Sequence, residues 1–375
     1  MGAVRAVYDL SPVPHALGGV SRYMMSLAGA LRAAAPDNGV ELTLMDVPAA
    51  HPGVPGPGTD CLRLPTPFYM KVPLLRRIPI RLGWEKRSRG RRIADIAGRP
   101  DIIHHSGVQP HAPDGAVSVV TVYDLSALQH PEWHTEDTVM YAERERDMLL
   151  SGAYAAVISS WTGVELSRSL GLPEWRIRVI GGAADGVFTP GEPSPSILGG
   201  YGLKLGEYLL HVGNFVPRKN IPFLVDVYRR SRRAGVSMPL VMVTSGGWGG
   251  ISVEEGDGVR ILRKVDDRHM PHLYRGARAL LCPSGYEGLG LPVLEALACG
   301  TPVIASDSSA LPETLGGHGQ LVTERDGDAW LAAIDGLRRA ERTDELRRMA
   351  GSAPRRTWRD TAVELCDYYG SIAER

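Results

Sequence analysis

Cysteine and long apolar runs are both scarce in this chain of 375 residues. The four cysteines are scattered, without the spacing of a metal site or of a disulfide framework, and Cys282 and Cys299 lie in apolar segments as core thiols do. No stretch reaches the roughly 18 apolar residues that a membrane-spanning helix needs. The chain also runs directly into a predicted strand, without a secretory signal. We therefore expect a reduced, cytoplasmic protein.

An excess of charge of one sign is lacking too, because 42 basic residues balance 42 acidic ones. Such a chain has no general attraction for nucleic acid, and we expect no nucleic-acid partner. Residues 61–99 depart from the balance, with eleven Lys or Arg against Glu85 and Asp95. Interleaved apolar side chains would let this basic segment contact an anionic acceptor or, peripherally, the inner face of a membrane. An ordinary solvated helix and loop is the equal alternative, because Pro73 and Pro79 break any long amphipathic helix.

Short apolar runs alternate with amphipathic segments along most of the chain. Strands are predicted at residues 4–10, 101–105 and 117–125, and again at 208–212 and 279–282, with helices between them. This alternation predicts an α/β protein with doubly wound parallel sheets, and the length suits two domains. We place an N-terminal domain at residues 1–190, a linker rich in Pro and Gly at 191–206, a C-terminal domain at 207–355 and a last helix at 356–375.

The most informative stretch, residues 283–300, carries Glu287 and Glu295 on either side of a glycine-rich turn. A buried strand is predicted before the turn and a helix after it, whose first N–H groups attract anions. Gly288 and Gly290 would let a diphosphate approach the backbone closely. Carboxylates accept hydrogen bonds from both hydroxyls of a diol, so one Glu suits a sugar and the other a ribose. The alternative is a plain strand-to-helix turn with a solvated Glu and a Glu at the helix dipole.

Arg218 and Lys219 lie between a predicted strand and a helix that begins near Asn220. A forked guanidinium and an ammonium group at a helix N-terminus form a clamp for a diphosphate, although two surface cations would look the same. With such a clamp no divalent metal and no other cofactor is needed. The acidic pair Asp326 and Asp328 resembles a metal site only superficially, and we interpret Asp328 as a helix cap.

Three stretches, residues 211–220, 283–300 and 302–313, resemble the nucleotide-sugar signature of the retaining glycosyltransferase family 4. The resemblance is specific from about residue 208 to 317 and continues more weakly over residues 4–190. It implies the GT-B fold, with two Rossmann-like domains that face a cleft and close on binding. It also implies transfer of a hexose from a nucleotide diphosphate sugar to a hydroxyl of a glycan, glycolipid or natural-product acceptor. The motifs are most similar to the mannosyl branch, which favours a GDP-mannose type of donor, although uridine- and thymidine-linked sugars occupy closely similar sites.

The resemblance also assigns roles to individual residues. Four are expected to take part in catalysis: Asp124, Glu287, Arg218 and Lys219. Arg218 and Lys219 would contact the β-phosphate of the donor, and Asp124 would orient the acceptor hydroxyl or support the developing sugar cation. The expected substrate-binding residues are Gly18, Gly19, Tyr123, Gly288, Leu289, Gly290, Leu291, Glu295 and, through its backbone at the base, Val265.

One position departs from the family pattern, because Tyr123 stands where a histidine usually precedes Asp124. That change puts the usual contact with sugar or acceptor in doubt, and Asp124 itself has the alternative role of capping the next turn. A catalytically silent sugar-nucleotide-binding partner subunit is therefore one alternative to a transferase. Another GT-B enzyme, a phosphorylase or an epimerase, is a second.

Overall fold

The computed structural model describes residues 2–10, 18–45, 61–62, 99–105 and 115–374. Most of the basic segment at 61–99, and with it the predicted membrane contact, lies outside these ranges. The chain divides into two compact units. Unit 1 comprises Met1–Leu128, Glu136–Gly182 and Trp358–Arg375, and unit 2 comprises Gln129–Thr135 and Ala183–Thr357.

Unit 1 is built on a parallel sheet that has seven strands in the described residues, in the order β3-β2-β1-β4-β5-β6-β7. The strands are β1 (Val4–Asp9), β2 (Val40–Met45), β3 (Cys61–Leu62), β4 (Ile102–His105), β5 (Val117–Val122), β6 (Tyr154–Val157) and β7 (Ile177–Val179). Its helices include α1 (Gly19–Ala34), α2 (Ser126–Gln129), α3 (Glu136–Leu150) and α4 (Ser160–Leu170). Helices connect most of these strands, as parallel pairing requires.

The last helix, Trp358–Ala373, packs in unit 1 against α1, β1 and β2. Its Trp358 ring meets Tyr23 of α1 edge-on, with 4.9 Å between ring centroids. Its Tyr369 hydroxyl lies 2.6 Å from Nδ1 of His104 on β4, and the other ring nitrogen of His104 lies 2.7 Å from the hydroxyl of Thr121 on β5. The helix is thus tied to the middle of the sheet by a buried polar chain.

Unit 2 carries a six-stranded parallel sheet in the order β10-β9-β8-β11-β12-β13, again for the described residues. Its strands are β8 (Leu209–Val212), β9 (Leu240–Thr244), β10 (Val259–Arg263), β11 (Ala279–Cys282), β12 (Val303–Ser306) and β13 (Gln320–Val322). Its helices are α5 (Pro195–Gly200), α6 (Ile221–Arg233), α7 (Met270–Gly276), α8 (Leu291–Ala298), α9 (Leu311–Leu315), α10 (Gly327–Gly336) and α11 (Ala340–Gly351); the last helix of unit 1 is α12.

The central strands of unit 2 are buried on both faces, which explains why they read as continuous apolar runs. Leu209 and Leu281 point into one apolar cluster, and their neighbours Leu210 and Leu280 point into the other. The chain leaves β8 towards β9 and β10 on one side, and β11 lies on the other side. The strand order therefore reverses between β8 and β11, and ligands of such sheets bind beyond the carboxyl ends of the strands at that point.

The unit boundaries differ from those expected from sequence. Residues 191–206 were predicted to form a linker, but they contain α5, and Leu198 and Leu203 are buried in the core of unit 2. The backbone N–H of Ser194 donates to Nδ1 of His272 at 2.9 Å, which further attaches this stretch to unit 2. The Pro and Gly residues thus mark turns around a short packed helix. The short stretch Gln129–Thr135 also belongs to unit 2, within the range expected for the N-terminal domain.

None of the helices in the described ranges combines the length and the apolar character needed to cross a bilayer.

Candidate active site

The loop after β8 positions two cations at the point where the strand order reverses. A 3₁₀ turn, Pro217–Lys219, leads into Asn220, whose φ of 51° is left-handed and which is the N-cap of α6. The Asn220 amide donates to the carbonyl of Pro283 at 3.0 Å, and the guanidinium of Arg325 donates to its side-chain oxygen at 2.9 Å. Asn220 therefore joins the loop after β8 to the loop after β11.

Arg218, Lys219 and Glu287 form a compact ion cluster at this junction. Glu287 Oε2 accepts a hydrogen bond from Arg218 Nη1 at 2.7 Å, and its Oε1 accepts one from Lys219 Nζ. Only 4% of Glu287 and 7% of Lys219 is exposed. Burial by itself would raise the pKa of the Glu287 carboxyl, but the Lys219 ammonium and the Arg218 guanidinium lower it to about 2. Glu287 is charged at neutral pH, and the cluster keeps one surplus positive charge.

The loop that carries Glu287 is held on both sides. Its carbonyl at Tyr286 accepts from Arg218 Nη1 at 2.9 Å, and the backbone N–H of Glu287 donates to the Ser309 hydroxyl at 2.8 Å. A Cβ on Gly285 would collide with Glu324 Oε1, so a larger residue there would displace the Glu324 side chain. The carboxylate is therefore fixed before any ligand arrives, as an electrostatic site requires.

The glycine turn predicted as a phosphate cradle leads directly into α8. Gly288 and Leu289 follow Glu287, and Gly290 takes a φ of 86°, a left-handed value that suits glycine. Gly290 is the N-cap of the eight-residue helix that begins at Leu291, and as a glycine it has no side chain with which to cap it. The positive N-terminal end of α8 therefore lies three residues after Glu287 of the ion cluster in the sequence.

Glu295, one turn inside α8, has 3% of its surface exposed and accepts a hydrogen bond from the Tyr274 hydroxyl at 2.6 Å. Tyr274 is fully buried on α7. Sequence reasoning did not single out this tyrosine, because an aromatic residue in an apolar helix gives no sign of what its hydroxyl contacts. The pair fixes one oxygen of the second glutamate of the motif.

His211 is a second residue that sequence reasoning missed. Its Nδ1 lies 3.0 Å from the carbonyl of Leu281, whereas Nε2 has no hydrogen-bond partner within the described residues. Burial lowers the pKa of the imidazole to about 4, so the ring is neutral at neutral pH. A Cβ built on Gly213 would lie 3.6 Å from that Nε2 and 3.4 Å from Lys219 Cε. The neutral ring therefore lies near the stem of Lys219.

The candidate residues of unit 1 lie on other elements. Asp124 follows β5, and its Oδ1 accepts from the Ser126 backbone at 2.9 Å and from the Ser126 hydroxyl at 2.6 Å, which is the capping geometry. Burial, with Asp124 nearby, raises the pKa of the Glu145 carboxyl to about 8. A protonated Glu145 relieves repulsion between the two carboxyl groups. The Tyr123 ring meets Tyr23 edge-on at 5.5 Å, and burial raises the pKa of its phenol well above the ordinary value.

Three predicted contact residues have simpler surroundings. Gly18 is the N-cap of α1 in an extended conformation, and Gly19 is the first residue of that helix. A Cβ on Gly18 would meet no atom of the described residues within 4 Å, so none of these neighbours demands glycine there. In unit 2, Val265 follows β10 and packs at the edge of the apolar core.

No group of three or more potential ligands is arranged to hold a metal ion in the part of the chain that the structure describes. The sequence interpretation of the acidic pair needs one correction. Asp326, and not Asp328, caps α10: its Oδ1 accepts from the backbone N–H of Asp328 at 3.2 Å and of Ala329 at 3.0 Å. Asp328 instead pairs with Arg230 at 2.5 Å, because it already lies in the first turn of the helix.

Two Rossmann-like parallel sheets, with a cationic site at the strand reversal of the second, are the architecture of GT-B glycosyltransferases. The sequence model of the family described as glycosyl transferases group 1 matches residues 206–339. The chain is 30% identical to O-antigen chain mannosyltransferase B of Escherichia coli over 345 residues, which is 88% of this chain and 90% of that protein. It is 26% identical to phosphatidyl-myo-inositol mannosyltransferase of Mycobacterium leprae over 373 residues, 95% of this chain and 94% of the relative.

Among solved structures, sucrose-phosphate synthase from Thermosynechococcus elongatus matches with a TM-score of 0.70 and 19% identity, over 99% of each chain. At 19% identity, this match is evidence for the fold alone. The chain belongs to the group 1 glycosyltransferase family, and the family membership and the GT-B fold predicted from sequence are both confirmed.

Proposed function

We propose that this protein is a retaining hexosyltransferase that takes a nucleotide diphosphate sugar of the GDP-mannose type. The buried cluster of Arg218, Lys219 and Glu287 carries this proposal. Its surplus positive charge suits a diphosphate, and its carboxylate suits sugar hydroxyls. Two of the relatives are named as mannosyltransferases, which supports mannose as the donor sugar.

The cations can serve the carboxylate and the donor together. A guanidinium has five N–H donors and an ammonium has three, so each has donors left after its bond to Glu287. When the β-phosphate binds these remaining donors, each Glu287 oxygen still has a lone pair that can accept from the hydroxyls of the transferred sugar. Glu295, steadied by Tyr274, would accept from the ribose hydroxyls.

In the proposed reaction the acceptor hydroxyl attacks the anomeric carbon on the face from which the nucleotide leaves. The bond between that carbon and the β-phosphate oxygen breaks, and the departing phosphate takes the acceptor proton. Arg218, Lys219 and the N-terminus of α8 stabilise the negative charge that develops on the diphosphate. We propose that no divalent metal is needed for this step, because these groups supply the positive charge.

The acceptor is proposed to be a hydroxyl of a glycan or a glycolipid. The relatives support this choice, because their names refer to an O-antigen chain and to phosphatidyl-myo-inositol. Asp124 of unit 1 is the proposed orienting group for that hydroxyl. Contact between an anionic membrane and the basic segment at 61–99 stays a prediction.

Slow turnover of the donor with water as acceptor tests the proposal without knowledge of the natural acceptor. The protein is incubated with GDP-mannose and, separately, with UDP-glucose, and the released sugar is followed by proton NMR from the first minutes. We expect GDP-mannose to be consumed, with release first of the anomer present in the donor. First release of the opposite anomer would contradict retention. Tight nucleotide binding with no turnover of either donor would instead favour the silent partner subunit.

A further inference from the structure

Four aromatic side chains form a patch in unit 2, made of His130, Trp133, Trp248 and Tyr286. The His130 and Trp133 rings stack with 3.9 Å between centroids and 12° between planes. Both meet Tyr286 edge-on, at 6.3 Å and 6.5 Å. Tyr286 directly precedes Glu287, so this aromatic patch adjoins the carboxylate of the ion cluster.

Trp248 extends the patch from the loop after β9. Its backbone N–H donates to the carbonyl of Phe215 at 3.1 Å, and its indole N–H donates to the carbonyl of Trp133 at 2.8 Å. Trp248 is thus held through both its backbone and its indole ring, yet 42% of the residue is exposed. A large aromatic ring with a fixed position and a free surface gives contact area at little cost in conformational entropy.

The glycines around Trp248 hold its loop against the phosphate clamp. A Cβ on Gly247 would lie 2.1 Å from the Phe215 carbonyl oxygen, and one on Gly249 would lie 2.9 Å from Pro217 Cγ. Pro217 directly precedes Arg218. Any larger residue would push the loop away, so the glycines keep the indole beside the loop that carries the two cations.

Polar residues lie on the loops that carry the patch or contact it. The hydroxyl of Ser245 donates to the side-chain oxygen of Asn214 at 2.7 Å, and both residues are at least partly exposed. Glu132, with a side chain that is 64% exposed, lies 3.4 Å from Nδ1 of His130. An apolar aromatic surface with a few polar groups at its edge matches a pyranose ring, which has an apolar C–H face and hydroxyls around its edge.

We propose that the aromatic patch is a carbohydrate subsite that takes one pyranose ring of a glycan beside Glu287. This inference rests on the proposed function, because it deepens the use of the same site. A nucleobase also stacks on aromatic rings. The sugar ring is favoured because the His130 and Trp133 rings both meet Tyr286, which directly precedes the carboxylate assigned to sugar hydroxyls, whereas the base is expected near Val265 after β10.

The test uses the full chain saturated with GDP and titrated with methyl α-pyranosides of mannose, glucose, galactose and N-acetylglucosamine. Binding is followed by saturation-transfer NMR. Three variants are compared: Trp248→Ala, Trp248→Phe and the control Trp175→Ala, which removes another exposed tryptophan, in unit 1. We expect at least one pyranoside to bind, Trp248→Ala to weaken it by about fivefold or more, Trp248→Phe to retain most of the affinity, and the control to leave it unchanged.

GDP affinity, measured by calorimetry on the same proteins, separates this inference from the proposed function. The subsite predicts equal GDP affinity in the wild type and in all three variants. An equal loss of GDP affinity in Trp248→Ala would show a base platform and overturn the subsite. Failure of every pyranoside to bind the wild type, or unchanged pyranoside binding in Trp248→Ala, would also overturn it. If the proposed function itself is wrong, the result is different: the wild type then fails to bind any nucleoside diphosphate.

Discussion

The phenol of Tyr274 donates a 2.6 Å hydrogen bond to the carboxylate of Glu295, and both residues are buried. Replacement of Tyr274 with Phe removes the donor and keeps the ring. A hydrogen bond to a charged group contributes about 1.5–3 kcal/mol, so we expect a lower melting temperature and, because Glu295 loses its fixed position, weaker nucleotide binding. Calorimetric titration with GDP measures the second effect.

Tyr208→Phe is the matched control for that prediction. The Tyr208 hydroxyl is also buried in unit 2, but it donates to the backbone carbonyl of Leu273, at 2.6 Å. We expect the Tyr208→Phe replacement to lower stability without changing GDP affinity. Equal affinity losses in the two variants would mean that Tyr274 acts only through the general stability of the unit.

The clamp is tested by Lys219→Ala. Loss of a charge-assisted contact of about 1.5–3 kcal/mol should weaken nucleoside diphosphate binding by more than tenfold. The control is Lys204→Ala, since Lys204 is an exposed lysine of the same unit whose nearest acidic partner, Glu207, lies at 3.8 Å. Calorimetry should show unchanged affinity for the control. The same result for Lys219→Ala would remove the lysine from the donor site.

Asp124→Asn separates charge from capping. The amide oxygen of Asn still accepts from the backbone and the hydroxyl of Ser126, so the turn stays capped. Turnover should fall strongly while GDP affinity stays nearly intact, because the carboxylate would act in the transition state and not in donor binding. The measurements are steady-state rates and calorimetric titration. A parallel fall of both quantities would assign Asp124 a structural role.

Transfer is expected to be independent of divalent metal. Donor turnover in excess chelator should equal turnover in untreated buffer, because Arg218, Lys219 and the N-terminus of α8 supply the positive charge. Activity that disappears in chelator and returns with magnesium or manganese would contradict the prediction. The same assay on Lys219→Ala shows whether added metal replaces the missing cation.

Acid should destabilise the protein below pH 6.5. Burial lowers the pKa of His104 to about 3 and that of His211 to about 4. The unfolded chain takes up these protons near pH 6.5 and the folded chain does not, which lowers stability as pH drops from 6.5 towards 4, by about 1.4 kcal/mol per pH unit for each imidazole at most. Glu145 acts in the opposite direction, because burial raises its pKa to about 8 and the folded chain binds its proton first. The net fall in stability is therefore about that of one imidazole. Urea unfolding between pH 7 and pH 4.5 checks this. Constant stability over that interval would mean that the imidazoles are not held neutral.

Much of the fold could be predicted from sequence because its signals are local. The strand predicted at 279–282 is Ala279–Cys282, and the strand predicted at 101–105 runs over Ile102–His105. The family resemblance assigned Arg218, Lys219 and Glu287 to one donor site, and the structure brings the three side chains together after β8 and β11.

What was missed depends on contacts between residues distant in sequence. Periodicity cannot show that the hydroxyl of Tyr274 meets Glu295, that Nδ1 of His211 faces Leu281, or that Gln129–Thr135 packs in unit 2. The predicted linker failed for a related reason. The composition shows the prolines and glycines of residues 191–206, but it cannot show that Leu198 and Leu203 are buried in the core of unit 2.

The two ends of the described chain meet in one unit, and this has a consequence for synthesis on the ribosome. Unit 1 contains β1 near the start of the chain and the helix Trp358–Ala373, which is made only after all of unit 2. Domains generally fold as they emerge. The sheet of unit 2 can therefore close while the chain is still being extended. The tyrosine that bonds His104 reaches its partner only after translation has passed residue 369, so unit 1 is the second of the two to be completed.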